Sequence, residues 1–341
     1  MRVFGKRSLL THLVVMCAIL FGAVGCDAVQ TLIEEPTKPT SKGAAYELIL
    51  VCDNDVWTSE VGDTLISILQ RDVEMLNQRE PYYRVFRILP AGFTHLNKEH
   101  RNVLYIDVDP QRYDTSLLIV RQDIYSTDQM ILTASAPSIS EMVTLLDGER
   151  ENIVSAYEIA ERRRNVAAYK KFGPKSLTAL VQEKFGFTMN FPAGFFLANQ
   201  TKDFIWARYE MPKAGQGVLV YSYPYTGPQD LSEENIIAKR NKYAALIPGP
   251  NDGSYMSTYY AKSEAIRIDG RLWIRTRGFW DLINGYMGGP FISYTTIDTE
   301  SNKVITIDGY VYSPELPKRN FLREMEHLVY TVEMGSTKAT E

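Results

Sequence analysis

The chain has 341 residues, 45% of them hydrophobic and 23% charged, with a formal net charge of −4. That length and apolar share are enough for two modest domains. The mildly acidic balance carries no basic stripe, which argues against a nucleic-acid surface; the cluster Arg162-Arg163-Arg164 reads as a solvated helix face.

Residues 1–25 read as a leader rather than as fold. Arg2, Lys6 and Arg7 make a basic start, and 13–21 is an apolar run well short of the roughly 20 residues that a membrane-spanning helix needs. Small residues follow, ending on a cysteine: Ala23-Val24-Gly25-Cys26. This resembles the bacterial lipobox, with Ala23 where leucine is commonest. The resemblance implies cleavage before Cys26, acylation of its thiol and of the new amine with palmitate-type chains, and anchorage to a membrane; several acyl chains hold stably, at about 0.8 kcal/mol per buried CH₂. Losing the leader takes the net charge to about −7. Of the three cysteines, Cys17 leaves with the leader and Cys26 is acylated, so Cys52 stands alone and forms no intrachain disulfide. It ends the strand-like run 46–52 and is expected in the core.

Residues 26–43 read as a polar tether containing Pro36 and Pro39. A first α+β domain is expected over 44–170. Strand 46–52 leads to a helix carrying Leu65, Ile68, Leu69 and Val73, then to strands near 83–89, 103–108, 117–120 and 130–133. Ser138 and Glu141 form a capping-box pair that opens one long helix, whose charged residues from Glu149 to Arg164 expose one side. A second α+β domain is expected over 175–333, with 334–341 as a tail. It begins with a helix stopped by Gly186, and Ser232 caps another. The stretch 271–314 predicts an antiparallel meander with one covered face, turned at Asn284-Gly285 and at 299–302. An apolar stripe of Phe321, Leu322, Met325, Leu328, Val329 and Val332 marks a last helix. The expected class is therefore α+β: antiparallel sheets with helices on one face, in two domains.

Several motifs occur together: Trp57 with Gly62-Asp63-Thr64-Leu65, the run 221–225, the turn cluster 248–256, Met287-Gly288-Gly289-Pro290-Phe291, and Asp308-Gly309-Tyr310-Val311-Tyr312. In combination they resemble a family of Bacteroidetes lipoproteins that carry domain of unknown function 4837. The resemblance spans nearly all of the mature chain. It implies a lipid-anchored envelope protein, most simply in the outer membrane facing the periplasm, and brings no functional residues with it. The opening of the second half, 185–194, resembles the PsbP/Mog1-like sandwich.

Chemistry-bearing motifs are sparse. The series His95-Leu96-Asn97-Lys98-Glu99-His100 misses both zincin spacings, so no metal is expected. Asp107 and Asp109 share a strand face but precede Pro110, which is ordinary turn chemistry. His327, beside Glu326, reads as a helix-surface residue. No nucleophile elbow and no phosphate-cradling loop is found, and no cofactor is expected. The candidate binding surface is aromatic with arginine: Tyr223 and Tyr225, alternating with Tyr221; Tyr255, with Tyr259 and Tyr260 after it; and Arg275, Arg277 and Phe279, which share one strand face with Asp281. Its partners would be an envelope protein or a glycan. The other class of function is a glycan hydrolase or transferase working through paired carboxylates such as Asp252 and Asp281. The lipobox yields the first test: Cys26→Ala is expected to abolish membrane association, and fractionation that leaves the variant in salt-washed membranes would sink the anchor.

Overall fold

The computed structural model describes residues 38–335. The leader and Cys26 lie outside the described residues. No described helix is long and apolar enough to cross a membrane.

The body begins earlier than the sequence suggested. Thr127 N donates to Pro39 O at 2.8 Å, Lys42 N donates to Glu99 O at 2.9 Å, and Arg101 N donates to Lys42 O at 2.8 Å. Residues 39–42 are thus bound to the first lobe by backbone pairing, which composition alone does not reveal.

The first lobe holds β1 (Glu47–Val51), α1 (Asn54–Trp57), α2 (Glu60–Leu69), β2 (Arg84–Ile88), α3 (His95–Lys98), β3 (Asn102–Val108), β4 (Leu117–Gln122), β5 (Met130–Ala136), α4 (Ile139–Gly148) and α5 (Arg150–Phe172). Its sheet runs β2-β1-β3-β5-β4. All pairings are parallel except β4 with β5. The α+β class holds for the chain, but this one sheet is mixed rather than antiparallel. Its central strands are near-continuous apolar runs, as parallel strands covered on both faces must be. α2, α4 and α5 pack on one face over Leu48, Leu50, Leu104 and Leu132, while a smaller cluster of Ile49, Val51, Val103 and Ile131 lies on the other. The long helix expected after Ser138 is two helices, broken at Glu149. Ser138 Oγ accepts from Glu141 N at 3.3 Å, but the Glu141 carboxylate turns to Ser116 instead of closing the capping box.

The second lobe holds α6 (Lys175–Phe185), β6 (Phe187–Thr188), β7 (Phe196–Thr201), β8 (Phe204–Met211), β9 (Ala214–Pro224), α7 (Glu233–Ala244), β10 (Tyr255–Ile268), β11 (Arg271–Ile283), β12 (Gly288–Asp298), β13 (Lys303–Tyr312), α8 (Arg319–His327) and β14 (Glu333–Met334). Seven antiparallel strands run β10-β11-β12-β13-β9-β8-β7. The meander is β11–β13. Asn284 and Asn302 take positive φ of 57° and 52° at its turns, a conformation asparagine tolerates better than most residues. Both faces of this sheet are covered, not one. α6 and α8 pack over Ile205, Val220, Ile292 and Ile307; α7 packs over Phe204, Leu219, Tyr221 and Val304 on the opposite side. Glu333, expected as the last residue of the second domain, and Met334, expected as the first of the tail, pair with β6.

The lobes meet along α8. Glu80 of the first lobe accepts from the backbone N–H of Lys318 at 2.7 Å and of Arg319 at 2.9 Å, capping the helix from outside its own segment. Arg323 Nη1 lies 3.1 Å from Glu158 and 3.2 Å from Glu326, and Glu326 also holds Arg277 at 2.8 Å. His327, expected on the surface, is buried. Asn165 Nδ2 donates to its Nδ1 at 2.8 Å, and Nε2 faces the Tyr46 hydroxyl at 3.5 Å. That pattern is the neutral Nε2–H tautomer.

Desolvation is the main force on His327, pulling its pKa down to about 3 against the attraction of Glu326. Burial opposes ionisation of Glu326, yet Arg277 and Arg323 prevail and hold it at about 2. Both shifts have the same sign in linkage. Between about pH 3 and 6.5 the unfolded chain carries a proton on His327 that the folded one rejects, so stability falls as pH drops through that window, by up to about 1.4 kcal/mol per unit. The Glu326 contribution is present above its unfolded value and lost as pH falls toward 2. The urea midpoint is therefore expected to drop between pH 7 and pH 5, and His327→Gln should flatten that dependence. A variant with an unchanged pH slope would remove His327 as the cause.

Candidate functional site

The arginine half of the predicted surface is already engaged. Arg275 lies opposite Glu264 across β10 and β11, and its Nε and Nη2 donate to Glu264 Oε1 at 3.0 and 2.6 Å. Arg277 points to α8 and binds Glu326. Burial opposes its charge, but Glu326 more than compensates and its pKa is raised. Both guanidinium groups thus tie structure together. Tyr223 is only 6% exposed and packs under α7, because β9 is a central strand with no solvent face. Tyr225 is half-buried against the same cluster, and Tyr255 starts the edge strand β10. These residues form no common surface.

Phe279 leads elsewhere. It lines a cleft of about 1000 Å³ between the lobes. One wall is the first-lobe segment 72–79; the other is formed by Tyr259, Phe279, Asp281, Tyr286, Gly288, Gly289 and Tyr312, with Pro314 and Lys318 completing it. Tyr259 sits at a bulge: the register of β10 against β11 shifts between Thr258 and Tyr260. The extra residue re-aims one side chain, as bulges do. Tyr259 is 76% exposed and Tyr286, on the β11–β12 turn, 87%. A ring held so far out of contact with its own chain is available to another molecule. Glycine suits position 288, since a Cβ there would sit 2.9 Å from the Trp280 carbonyl oxygen.

The polar groups of the cleft differ in freedom. Arg79 Nε donates to Asp72 at 2.7 Å, and Lys318 Nζ donates to Gln78 Oε1 at 3.2 Å. Asp281 forms no ion pair among the described residues. Phe279 and Asp281, singled out from the sequence, both line the cleft, and Tyr259, noted there without a place, does too. Sequence reading missed Tyr286, Tyr312 and the whole first-lobe wall. The one signal for Tyr286 was a large ring beside the turn Asn284-Gly285.

Other candidates fall apart in space. Asp252 is exposed on the turn after α7 and does not line the cleft, so it forms no carboxylate pair there with Asp281. His95 is exposed and 3.6 Å from Glu99, whereas His100 is buried with Nδ1 2.9 Å from Asn102 O. No cluster of three metal-ligating side chains occurs among the described residues. Asp107 takes hydrogen bonds from Tyr113 and Arg112, and Asp109 accepts from Gln111 N at 2.8 Å. Cys52 is buried, and burial pushes its thiol up to about 11, which keeps it protonated and inert.

Comparison with family models finds two domains of unknown function: DUF8532 over residues 41–170 and DUF4837 over 175–331. Among curated proteins nothing matches. Among solved structures the chain is similar over part of its length to the Saccharomyces cerevisiae Ran-binding protein Mog1p (13% identity, 45% of this chain and 93% of that one, TM-score 0.32). A mutant of protein Mog1 is similar at 10% identity, over 44% of this chain and 92% of that one, with a TM-score of 0.31. So is the cyanobacterial PsbP of Synechocystis sp. PCC 6803 (12%, 44% and 86%, 0.29).

The two arginines separate by burial, and so should their variants. Arg277→Ala leaves Glu326 short of one partner at the seam and is expected to cost roughly 3 kcal/mol. Arg275→Ala breaks a more exposed pair and should cost less than about 1 kcal/mol. Equal losses in chemical denaturation would contradict this assignment.

Proposed function

We propose that this protein is a lipid-anchored lipoprotein of the cell envelope, held in the outer membrane and facing the periplasm, and that its interlobe cleft binds a glycan without transforming it. The observation that carries the binding reading is the pair of exposed rings, Tyr259 and Tyr286, on a cleft also lined by Phe279 and Tyr312. Sugar rings are amphipathic. Their C–H faces stack on aromatic faces while their hydroxyls take hydrogen bonds, and Asn77, Gln78 and Asp281 border the same space. A cleft of this volume is at the upper end of the range for small-molecule sites, which suits an oligosaccharide.

Binding is favoured over hydrolysis by the state of the carboxylates. Glycoside cleavage uses two carboxyl groups flanking one bond. Asp72 and Asp281 line the cleft, but Asp72 is engaged by Arg79 at 2.7 Å. The anchor rests on the lipobox at Cys26 and on the lipoprotein resemblance of the sequence.

A glycan array probed with the mature protein, followed by titration of soluble oligosaccharides of two to six sugars, tests the reading. Tyr259→Ala and Tyr286→Ala are each expected to weaken binding by about tenfold, or 1.4 kcal/mol, with the melting temperature unchanged. An empty array, or affinities indifferent to both substitutions, would refute the glycan cleft.

A further inference from the structure

Two carboxylates of α8 keep different company. Glu326 is held by Arg277 at 2.8 Å and by Arg323 at 3.2 Å. Glu324 forms no ion pair among the described residues. Its Oε2 accepts from Gln216 Nε2 at 3.0 Å, and its Oε1 accepts no hydrogen bond among them. Burial raises the Glu324 pKa, and only the Gln216 hydrogen bond opposes that rise. A carboxylate drawn from water without a cation is costly. Yet Glu324 is half-buried and its Oε1 is not sealed from the surface.

Glu324 lines a cavity of about 270 Å³ that shares no residue with the cleft. The other walls are largely aromatic. Tyr209 of β8 lies opposite Gln216 of β9 in the sheet register, and Phe195 stacks on Tyr209 with centroids 6.0 Å apart. From α5, the Tyr169 hydroxyl donates to the Glu324 backbone oxygen at 3.1 Å. Phe172 is 61% exposed at the rim, with Lys171 Nζ 5.0 Å from its ring. Lys171 forms no ion pair with Glu324, and among the described residues no lysine or arginine lines the cavity. The donors are mostly spent. Gln216 Nε2 also gives to Phe321 O at 3.1 Å, and Asn165 Nδ2 gives to His327 at 2.8 Å.

We propose that this cavity binds a small organic ammonium ion, its positive head at the Glu324 carboxylate inside the aromatic walls and its short body toward the opening at Phe172. Charge selects the ligand, since the lining carries one negative group and no cation. Aromatic faces attract a cation and repel an anion. A bare metal ion is disfavoured, because one carboxylate among rings gives no oxygen shell. Size fits as well: about 150 Å³ of cavity holds one benzene ring, so this one takes an ammonium head with a few carbons. The inference is independent of the glycan cleft.

The full chain in a neutral maltoside detergent, titrated with choline and with butylamine, tests the site by saturation transfer to the ligand protons. At least one of the two cations is expected to bind saturably below about 20 mM. The uncharged tert-butyl analogue of choline, with carbon in place of nitrogen, should bind at least about tenfold more weakly. Glu324→Gln keeps the shape and removes the charge. It should bring choline down to the level of that analogue without lowering the melting temperature. Should that variant fail to fold, Tyr209→Leu removes one aromatic wall and should weaken choline about fivefold. Three results would each overturn the proposal: neither cation saturating up to about 20 mM, the uncharged analogue binding as tightly as choline, or a folded variant binding choline like the parent.

Discussion

The seam between the lobes rests on one buried cation. Arg323 of α8 lies between Glu158 of the first lobe and Glu326 of its own helix, and Glu326 reaches on to Arg277 of the sheet. Two positive and two negative charges thus alternate through a region from which water is largely excluded. The rings of Tyr46 and Tyr82 stand 5.6 and 4.6 Å from the guanidinium. Desolvating such a chain costs several kcal/mol per ion, and the pairing recovers it only in part, since Arg323 Nε and Nη2 find no partner among the described residues. Burial raises the pKa of Glu158, while Arg323 pulls the other way. Each lobe therefore leaves the other with an uncompensated charge if they part. The net energy of such a network is small; what it imposes is a single relative placement.

That placement explains what the sequence disclosed and what it did not. Local rules were legible. Ser232 caps α7 through Asn235 N, and Gly186 ends α6 at a φ of 79°. Alternation along β11 correctly put Arg275, Arg277 and Phe279 on one face and Trp280 and Leu282 on the other. The same alternation misled for Tyr221, Tyr223 and Tyr225. A shared face implies a surface only on a strand with a solvent side, and β9 lies between β8 and β13 with both faces packed. The near-continuous run Val218-Leu219-Val220-Tyr221 carried that information, since strands buried on both faces lose their alternation. The parallel pairing of the first sheet had the same signature in Leu48-Ile49-Leu50-Val51.

The site was harder because its parts lie far apart along the chain. Phe279 belongs to the sheet, Tyr259 to its edge and Asn77 to a loop of the other lobe; no periodicity relates them. Nor could strand alternation show that Arg277 finds its anion on a helix about fifty residues on, because Glu326 reads as an ordinary polar position in an amphipathic stripe. Two local irregularities mark the cleft in the sequence. The pair Gly288-Gly289 falls where a Cβ would meet backbone carbonyls, and the cluster of tyrosines after the turn at 248–254 supplied the residue that the bulge turns outward.

Cleft and seam are mechanically one feature. Gln78 and Arg79 line the cleft, and the next residue, Glu80, caps α8. Lys318 lines it too and begins the helix that carries Arg323, Glu326 and His327. A ligand touching both walls therefore spans the same two bodies that the ion chain holds together, and its binding energy adds to theirs. The reverse also holds. Whatever loosens the seam would withdraw one wall from such a ligand, so that its affinity and lobe docking would draw on a single free energy. The edge strand β10 and the β11–β12 turn present the exposed rings, and the docked lobe forms the facing wall. Selectivity in such a cleft would then follow from the spacing between lobes as much as from the residues that line it.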